Sequence, residues 1–253
     1  MNILISNDDD IDSIGLSILA NKFKELGNVT VVAPIQQMSA TSHALTTVTP
    51  LRIKEVYKDN QLFGYAVNGT PADCVKIGII SLMKQKPDLV LSGINFGRNT
   101  GVNVIYSGTI AAAVEGYLLG IPSFAISLTT HDTSHEVNTA ADYAFNIITK
   151  VLNNKLTKDN IILSINIPAI PAENIKGIKL TELSNSYWDD KYEKYKDPFH
   201  QDYYWFDGKY IYDKNNTNTD DYAVENGYVA ITPLQYSFTN YNQMNELSIL
   251  ETK

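Results

Sequence analysis

Asn2-Ile3-Leu4-Ile5-Ser6-Asn7-Asp8-Asp9-Asp10 opens the chain, and apolar residues recur beyond it at Leu16, Leu19, Phe23 and Leu26. The run up to Ser6 predicts a buried strand, and the spacing that follows predicts a helix over 14–26. The acids therefore stand at the carboxyl end of a strand that opens a strand–helix unit, where open α/β sheets place their ligands. Adjacent carboxylates repel and raise each other's pKa unless a positive charge sits between them. A divalent cation is the simplest such partner, and hard oxygen donors suit Mg²⁺ or Mn²⁺. The alternative is a solvated acidic loop in which Asp10, Asp12 or Ser13 caps the helix.

The pattern repeats outward from this unit. Short, largely apolar runs at 29–33, 89–91, 124–126 and 161–167 predict further buried strands, the third introduced by Pro122. Helices are expected at 72–83, 110–119 and 142–152, with Gly27 and Gly120 as C-terminal caps of the first and third helices of the chain. This alternation argues for an α/β fold, a doubly wound, mostly parallel sheet. Residues 51–67 interrupt it with a hairpin around Lys58-Asp59-Asn60. From Tyr187 to Tyr241 the chain carries 11 of its 16 tyrosines and little aliphatic periodicity. Within that stretch, 203–212 reads as a hairpin about Asp207-Gly208. An aromatic ribbon with so few aliphatics needs another surface, its own domain or a second subunit. The expected division is 1–185 as a Rossmann-like core and 186–253 as a tyrosine-rich extension that packs back on it.

Composition narrows the functional classes. A chain of 253 residues, 44% hydrophobic, has material for one large core. Its formal charge of −8 argues against a nucleic-acid binder or a membrane-surface binder, yet a bound metal still permits phosphate ligands. Arg52 and Arg98 are the only arginines, so bidentate clamps on phosphate are scarce, and Arg98 reads as a surface residue. Cys74 is the only cysteine, falls in an expected helix and reads as a buried apolar group; a reducing, cytoplasmic setting follows. No signal-peptide pattern and no membrane-length apolar run is present. His43 is at least as well explained as a structural histidine, and His131, His135 and His200 lack ligand spacing.

Two further loops leave the same sheet edge. Ser92-Gly93-Ile94-Asn95-Phe96-Gly97-Arg98-Asn99-Thr100-Gly101 follows the strand at 89–91, and Ser107-Gly108-Thr109 then starts a helix. Between Pro87 and Leu128 the only formal charges are Asp88, Arg98 and Glu115. Glycines let backbone approach a ligand, and a helix start presents free N–H groups at the positive dipole end, which suits phosphate. An ordinary cap by Ser107 or Thr109 is the plainer reading. Neither a Walker loop nor a dinucleotide fingerprint occurs. The loop Ala33-Pro34-Ile35-Gln36-Gln37-Met38-Ser39 can bring a hydroxyl to the same place.

These motifs resemble the SurE family (stationary-phase survival protein E). The resemblance rests on Asn7-Asp8-Asp9, Ala33-Pro34 with Gln37-Met38-Ser39, Gly69-Thr70-Pro71-Ala72-Asp73-Cys74-Val75 and Ser92-Gly93-Ile94-Asn95. It continues through Tyr106-Ser107-Gly108-Thr109, Pro122-Ser123 and Gly227-Tyr228-Val229-Ala230-Ile231-Thr232-Pro233-Leu234. The resemblance implies a metal-dependent phosphatase of nucleoside 5′-monophosphates, with short polyphosphate as a further substrate in some members. It implies one divalent metal per subunit, held by Asp8, Asp9, Ser39 and Asn95, with Asp8 and Asp9 catalytic. Phosphate contacts are expected from Asn95, Ser107, Gly108 and Thr109, and a homodimer or homotetramer from the C-terminal extension. Three positions depart from the family pattern: Asp10 and Ala40 stand where Gly is usual, and Ser237 where Asp commonly follows. Asp10 is thereby expected to bring a third acid near the metal.

Two rivals share the opening motif. A haloacid-dehalogenase-type phosphatase would use an aspartate nucleophile, but Asp12 stands where Thr or Val is expected. A phosphoreceiver-like Mg²⁺-binding module would need a phospho-accepting Asp at the end of a middle strand, where Asn95 stands instead.

Overall fold

The computed structural model describes residues 1–130, 132, 136–158 and 160–251; His131 and His135 lie outside them. The chain opens with β1 (Asn2–Ser6), α1 (Ile14–Phe23) and β2 (Asn28–Pro34), then the hairpin of β3 (Ile53–Lys58) and β4 (Gln61–Val67). It continues through α2 (Pro71–Ile77), β5 (Leu89–Phe96), the single turn α3 (Asn103–Tyr106), α4 (Gly108–Leu118) and β6 (Ser123–Leu128). After α5 (Val137–Asn153) and β7 (Ile162–Ile167) come β8 (Ile178–Leu180), β9 (Tyr187–Lys196) and β10 (Asp202–Ile211). The last elements are α6 (Asp220–Glu225), β11 (Val229–Leu234) and α7 (Tyr241–Leu247).

Nine strands form one sheet in the order β3-β4-β2-β1-β5-β6-β7-β11-β8. All its pairings are parallel except β3 with β4 and β7 with β11. Side-chain alternation along the strands divides the core between two layers of helices. Ile3, Ile5, Leu89 and Leu91 pack with α1 and α5 on one face, where Phe23 meets Phe145 edge-on. Leu4, Val32 and Val90 pack with Cys74 and Val75 of α2 and Ala112 of α4 on the other. From β1 the chain returns through α1 to β2 on one side, while β5 lies on the other. The order therefore reverses between β1 and β5, and the crevice at their carboxyl ends is where such folds bind ligands. Among the described residues, no helix is long and apolar enough to cross a membrane.

Several expectations are corrected in detail. The strand that begins at Leu89 does not end at Leu91 but runs to Phe96, so Asn95 sits on strand and not in a loop. The register with β6 shifts between Ser92 and Asn95; Gly93 there has φ +138, and a Cβ on it would lie 2.3 Å from the Ile126 carbonyl oxygen. The helix expected at 72–83 is α-helical to Ile77 and continues as a π-helix over Gly78–Leu82. Gly120 caps α4 at φ +74, as expected, but α1 ends at Phe23, short of Leu26. Gly27 serves a close approach instead: a Cβ there would meet the Met1 carbonyl oxygen at 2.1 Å.

The tyrosine-rich hairpin turns elsewhere than at Asp207-Gly208. Those residues lie within β10, paired with Lys191 and Asp190, and the turn is made by 197–201. Asp197 accepts from the N–H groups of Phe199 (2.8 Å) and Gln201 (2.9 Å), and Pro198 has no N–H to give a ladder. That side-chain capping outcompetes the Asp-Gly pair. Beyond the hairpin, β11 inserts into the main sheet between β7 and β8, so the segment after 186 contributes a strand to the Rossmann-like core.

Candidate active site

Asp8 and Asp9 follow β1 at the switch point, and the start of α4 closes on them. Thr109 Oγ1 donates to Asp8 Oδ1 at 2.5 Å, and the backbone N–H groups of Gly108 and Thr109 also point to this carboxylate. A Cβ on Gly108 would lie 2.8 Å from Asp8 Cβ, so only glycine lets the helix start come this close. Asp8 is 6% exposed, and burial pushes its pKa up against those hydrogen bonds. Asp9 is pushed up to about 6 by burial and by the charge of Asp8. The Phe96 N–H, 3.4 Å from Asp9 Oδ2, and the Gln37 side chain work against that rise.

The other two loops reach the same point. Met38 N–H donates to the Asp8 carbonyl at 2.7 Å, which brings the loop carrying the exposed Ser39 to the end of β1. Asn95 is half-buried, next to the Phe96 amide that reaches Asp9. Its Nδ2 donates to the Gly97 carbonyl at 2.7 Å, a bond that leaves Oδ1 unused. Asp8, Asp9, Gly108 and Thr109 are thus brought into direct contact or one residue from it, and the stretches carrying Ser39 and Asn95 border them.

Two placements differ from expectation. The helix start of α4 already faces an anion, because Asp8 occupies the donors of Gly108 and Thr109. Ser107 N–H goes to Asn103 carbonyl at 3.1 Å, and Ser107 Oγ caps the helix by accepting from Ile110 N–H at 3.1 Å. Asp10 takes φ +115, yet its carboxylate accepts from Asp12 N–H at 2.8 Å and so is held in its own turn. It raises Asp9 only as a neighbouring charge. Ala40 takes φ +55 where glycine would be easy, and Ser237 lies exposed beyond β11.

The residues fit a divalent cation. Asp8 is a buried carboxylate beside a second raised carboxylate, and Asn7 Oδ1 is buried with no hydrogen-bond partner. Two acids, a hydroxyl and an amide oxygen form a hard oxygen donor set. Among the described residues no cluster of three His, Cys, Asp or Glu side chains that could hold a metal is present.

Other contacts around the site escape a reading of the sequence. Glu115 of α4 is buried and takes His43 Nε2 at 2.8 Å and Lys76 Nζ. Burial works to raise its pKa, but those two hydrogen bonds prevail and hold it below the usual value. His43 is thereby a structural partner, as the plainer reading had it. The signal was present in the isolation of Glu115 within an almost uncharged stretch. Arg98 is not free for phosphate: it pairs with Glu225 at 2.6 Å and Asp221 at 3.6 Å. The acids of α6 that receive it, Asp221 buried and Glu225 exposed, gave no signal, because they lie more than a hundred residues away in sequence.

The survival protein SurE family model matches residues 3–190. The chain is 46% identical to the 5′-nucleotidase SurE of Chlorobium phaeobacteroides over 97% of its length and 95% of that protein's. It is 42% identical to the 5′-nucleotidase SurE of a Thermoanaerobacter species, covering 100% of this chain and 99% of that one. The crystal structure of the SurE protein from Aquifex aeolicus superposes with a TM-score of 0.85 at 39% identity, each chain covered completely. With the acid pair at the switch point and likeness running from end to end, the chain belongs to the SurE family.

Proposed function

We propose that this chain is a divalent-metal-dependent 5′-nucleotidase, which hydrolyses nucleoside 5′-monophosphates to nucleoside and phosphate and also accepts short polyphosphate. The observation that carries the reading is the buried Asp8 carboxylate at the start of α4 with Asp9 beside it, a site built to hold positive charge next to a helix N-terminus. Relatives of 46% and 42% identity that bear the name 5′-nucleotidase SurE support the substrate class.

Asp8, Asp9, Ser39 and Asn95 would hold one Mg²⁺ or Mn²⁺ per subunit. Such an ion lowers the pKa of bound water and neutralises charge on phosphoryl oxygens. The chain's own part is to position and to donate. Thr109 and the N–H groups of Gly108 and Thr109 fix the Asp8 carboxylate in one orientation. Ser107 Oγ accepts from Ile110 N–H and so retains its hydroxyl proton for a phosphoryl oxygen. Asp8 or Asp9 would also accept the proton of the attacking water.

The C-terminal arm, 186–253, is proposed to assemble a homodimer or homotetramer through the exposed hairpin of β9 and β10, while its β11 belongs to the core sheet. Every residue of β9 is exposed, as are Trp205 and Phe206 of β10, and an isolated two-stranded ribbon is marginal in water. The reading is of a cytoplasmic enzyme without nucleic-acid or membrane partners, consistent with the charge of −8.

Phosphate release from a panel of nucleoside monophosphates and short polyphosphate, run with EDTA, Mg²⁺ and Mn²⁺ in parallel, tests the function. Turnover restored by metal and lost in EDTA is the expected result. Full turnover in EDTA rejects the metal, and absence of turnover on every monophosphate rejects the activity. An aspartyl-phosphate trapped on Asp8 would transfer the assignment to the dehalogenase-type mechanism.

A further inference from the structure

The glycine- and asparagine-rich stretch 97–102 leaves β5 beside Asn95 and leads through α3 to Ser107, yet its own bonds run to distant parts of the chain. Gly101 N–H donates to Asp220 Oδ2 at 2.9 Å, and Thr100 Oγ1 donates to Asp221 Oδ1 at 2.6 Å. Val102 N–H goes to Ser186 Oγ at 2.9 Å, and Trp188 Nε1 goes to Asn103 Oδ1 at 2.9 Å. Tyr210 Oη bridges the Thr100 carbonyl at 3.2 Å, Ser186 Oγ at 2.7 Å and Asp221 Oδ2 at 2.8 Å. Both aspartates are completely buried.

Two carboxylates side by side in a buried place are costly, and here their oxygens are spoken for. Asp220 Oδ1 accepts from the N–H groups of Ser184 (2.9 Å) and Asp221 (2.8 Å). Asp221 Oδ2 also accepts from Ser184 Oγ, and Arg98 lies 3.6 Å from Oδ1. The bonds continue toward the active site. The Gly101 carbonyl accepts from Val104 N–H at 3.3 Å, the Thr100 carbonyl from Asn103 N–H at 3.1 Å, and the Asn103 carbonyl from Ser107 N–H at 3.1 Å. A hydrogen-bonded chain thus joins the acids of α6 to the residue that begins α4.

We infer that Asp220 and Asp221 are positioning residues for phosphate binding: with Tyr210 they hold 98–102, and through α3 they set the start of α4 where phosphate is taken. The inference rests on the nucleotidase reading for what that site binds, and it extends the reading to residues of the arm. Neither aspartate touches the acids that would hold metal. Their loss therefore weakens phosphate binding first, and reaches the metal only indirectly, through the Gly108 and Thr109 contacts to Asp8.

Asp220→Asn is the discriminating variant. It keeps the volume and an oxygen for Ser184 and Asp221, but turns an NH₂ toward the Gly101 N–H, donor against donor. The Mn²⁺-loaded full-length protein and this variant are compared by hydrogen exchange, by calorimetric titration with inorganic phosphate, and by kinetics on adenosine 5′-monophosphate. Exchange across 97–109 should quicken, and phosphate Kd and substrate KM should rise together by roughly tenfold, more than the Mn²⁺ activation constant does. Tyr210→Phe, which removes the bridging hydroxyl, should shift the same quantities in the same direction and serves if the first variant does not fold. Unchanged exchange, or faster exchange with phosphate Kd unaltered, overturns the inference, as does a wild-type protein that binds no phosphate. A wild type that binds phosphate but hydrolyses no monophosphate refutes the nucleotidase reading alone, and the exchange and titration still decide this one.

Discussion

At Gly108 the absence of a side chain sets how closely a helix start can approach a carboxylate. A methyl group there must push against Asp8 Cβ, 2.8 Å from where it would stand. Gly108→Ala is expected to cut kcat/KM about a hundredfold, the order of loss for a misplacement near 1 Å in a reacting group's support. Initial-rate kinetics checks it, and an unchanged rate would show that the contact is not needed. Asp8→Asn should abolish turnover and metal binding with the fold retained, as read by calorimetry and circular dichroism. Asn95→Ala should weaken Mn²⁺ binding in a direct titration. At this scale much was legible: adjacent acids after a strand, and Ser-Gly-Thr before a helix, are local patterns. The bond from Thr109 to Asp8 was not, because it joins residues 101 apart and depends on the sheet order. Asp10, expected as a third acid nearby, has one carboxylate oxygen engaged by Asp12 N–H in its own turn, a contact that local spacing does not announce.

Among the elements, the hairpin of β9 and β10 has side chains that lack a core. Tyr192 meets Phe206 at 5.5 Å and Tyr195 meets Tyr203 at 5.8 Å, so the ribbon has its own aromatic pairs, yet most of its rings remain exposed. Replacing Trp205 and Phe206 together by Ser should shift the protein to a smaller species in light scattering and leave the far-ultraviolet spectrum near that of the parent. An unchanged mass would place assembly elsewhere. The composition of 187–241 announced an unpartnered aromatic surface, but not its turn. Asp-Gly is a strong local signal, and the longer Asp197 to Gln201 turn prevailed because it satisfies more backbone N–H groups. The strand at 89–91 was underestimated for a related reason. Propensity fades at Ser92-Gly93, while pairing with β6 carries the strand on to Phe96.

For the molecule as a whole, β11 and α6 bring the end of the chain back onto a sheet that its beginning started. The buried pair on α6 makes this closure sensitive to pH. Burial, with the charge of Asp221 beside it, pushes Asp220 up to about 6 from 3.8. A folded-state value above the unfolded one means that the native protein holds a proton the unfolded chain has released. The associated stability is complete below pH 3.8 and lost as pH rises through about 6, roughly 3 kcal/mol in all. Urea unfolding of wild type and Asp220→Asn should therefore show the wild type gaining on the variant as pH falls from 6 toward 4. A constant difference would mean that Asp220 does not titrate in that window. The fold class was legible because alternating strands and helices have few solutions, whereas the pairing of 97–102 with α6 depends on contacts that no local pattern encodes.

The central claim is that Asp8 and Asp9, with Ser39 and Asn95, hold one catalytic cation at the switch point between β1 and β5. Anomalous diffraction from crystals soaked in Mn²⁺ tests it most directly. One strong manganese peak per subunit within coordination distance of both aspartates is the expected result. A peak bound elsewhere, with none between those carboxylates, would contradict it.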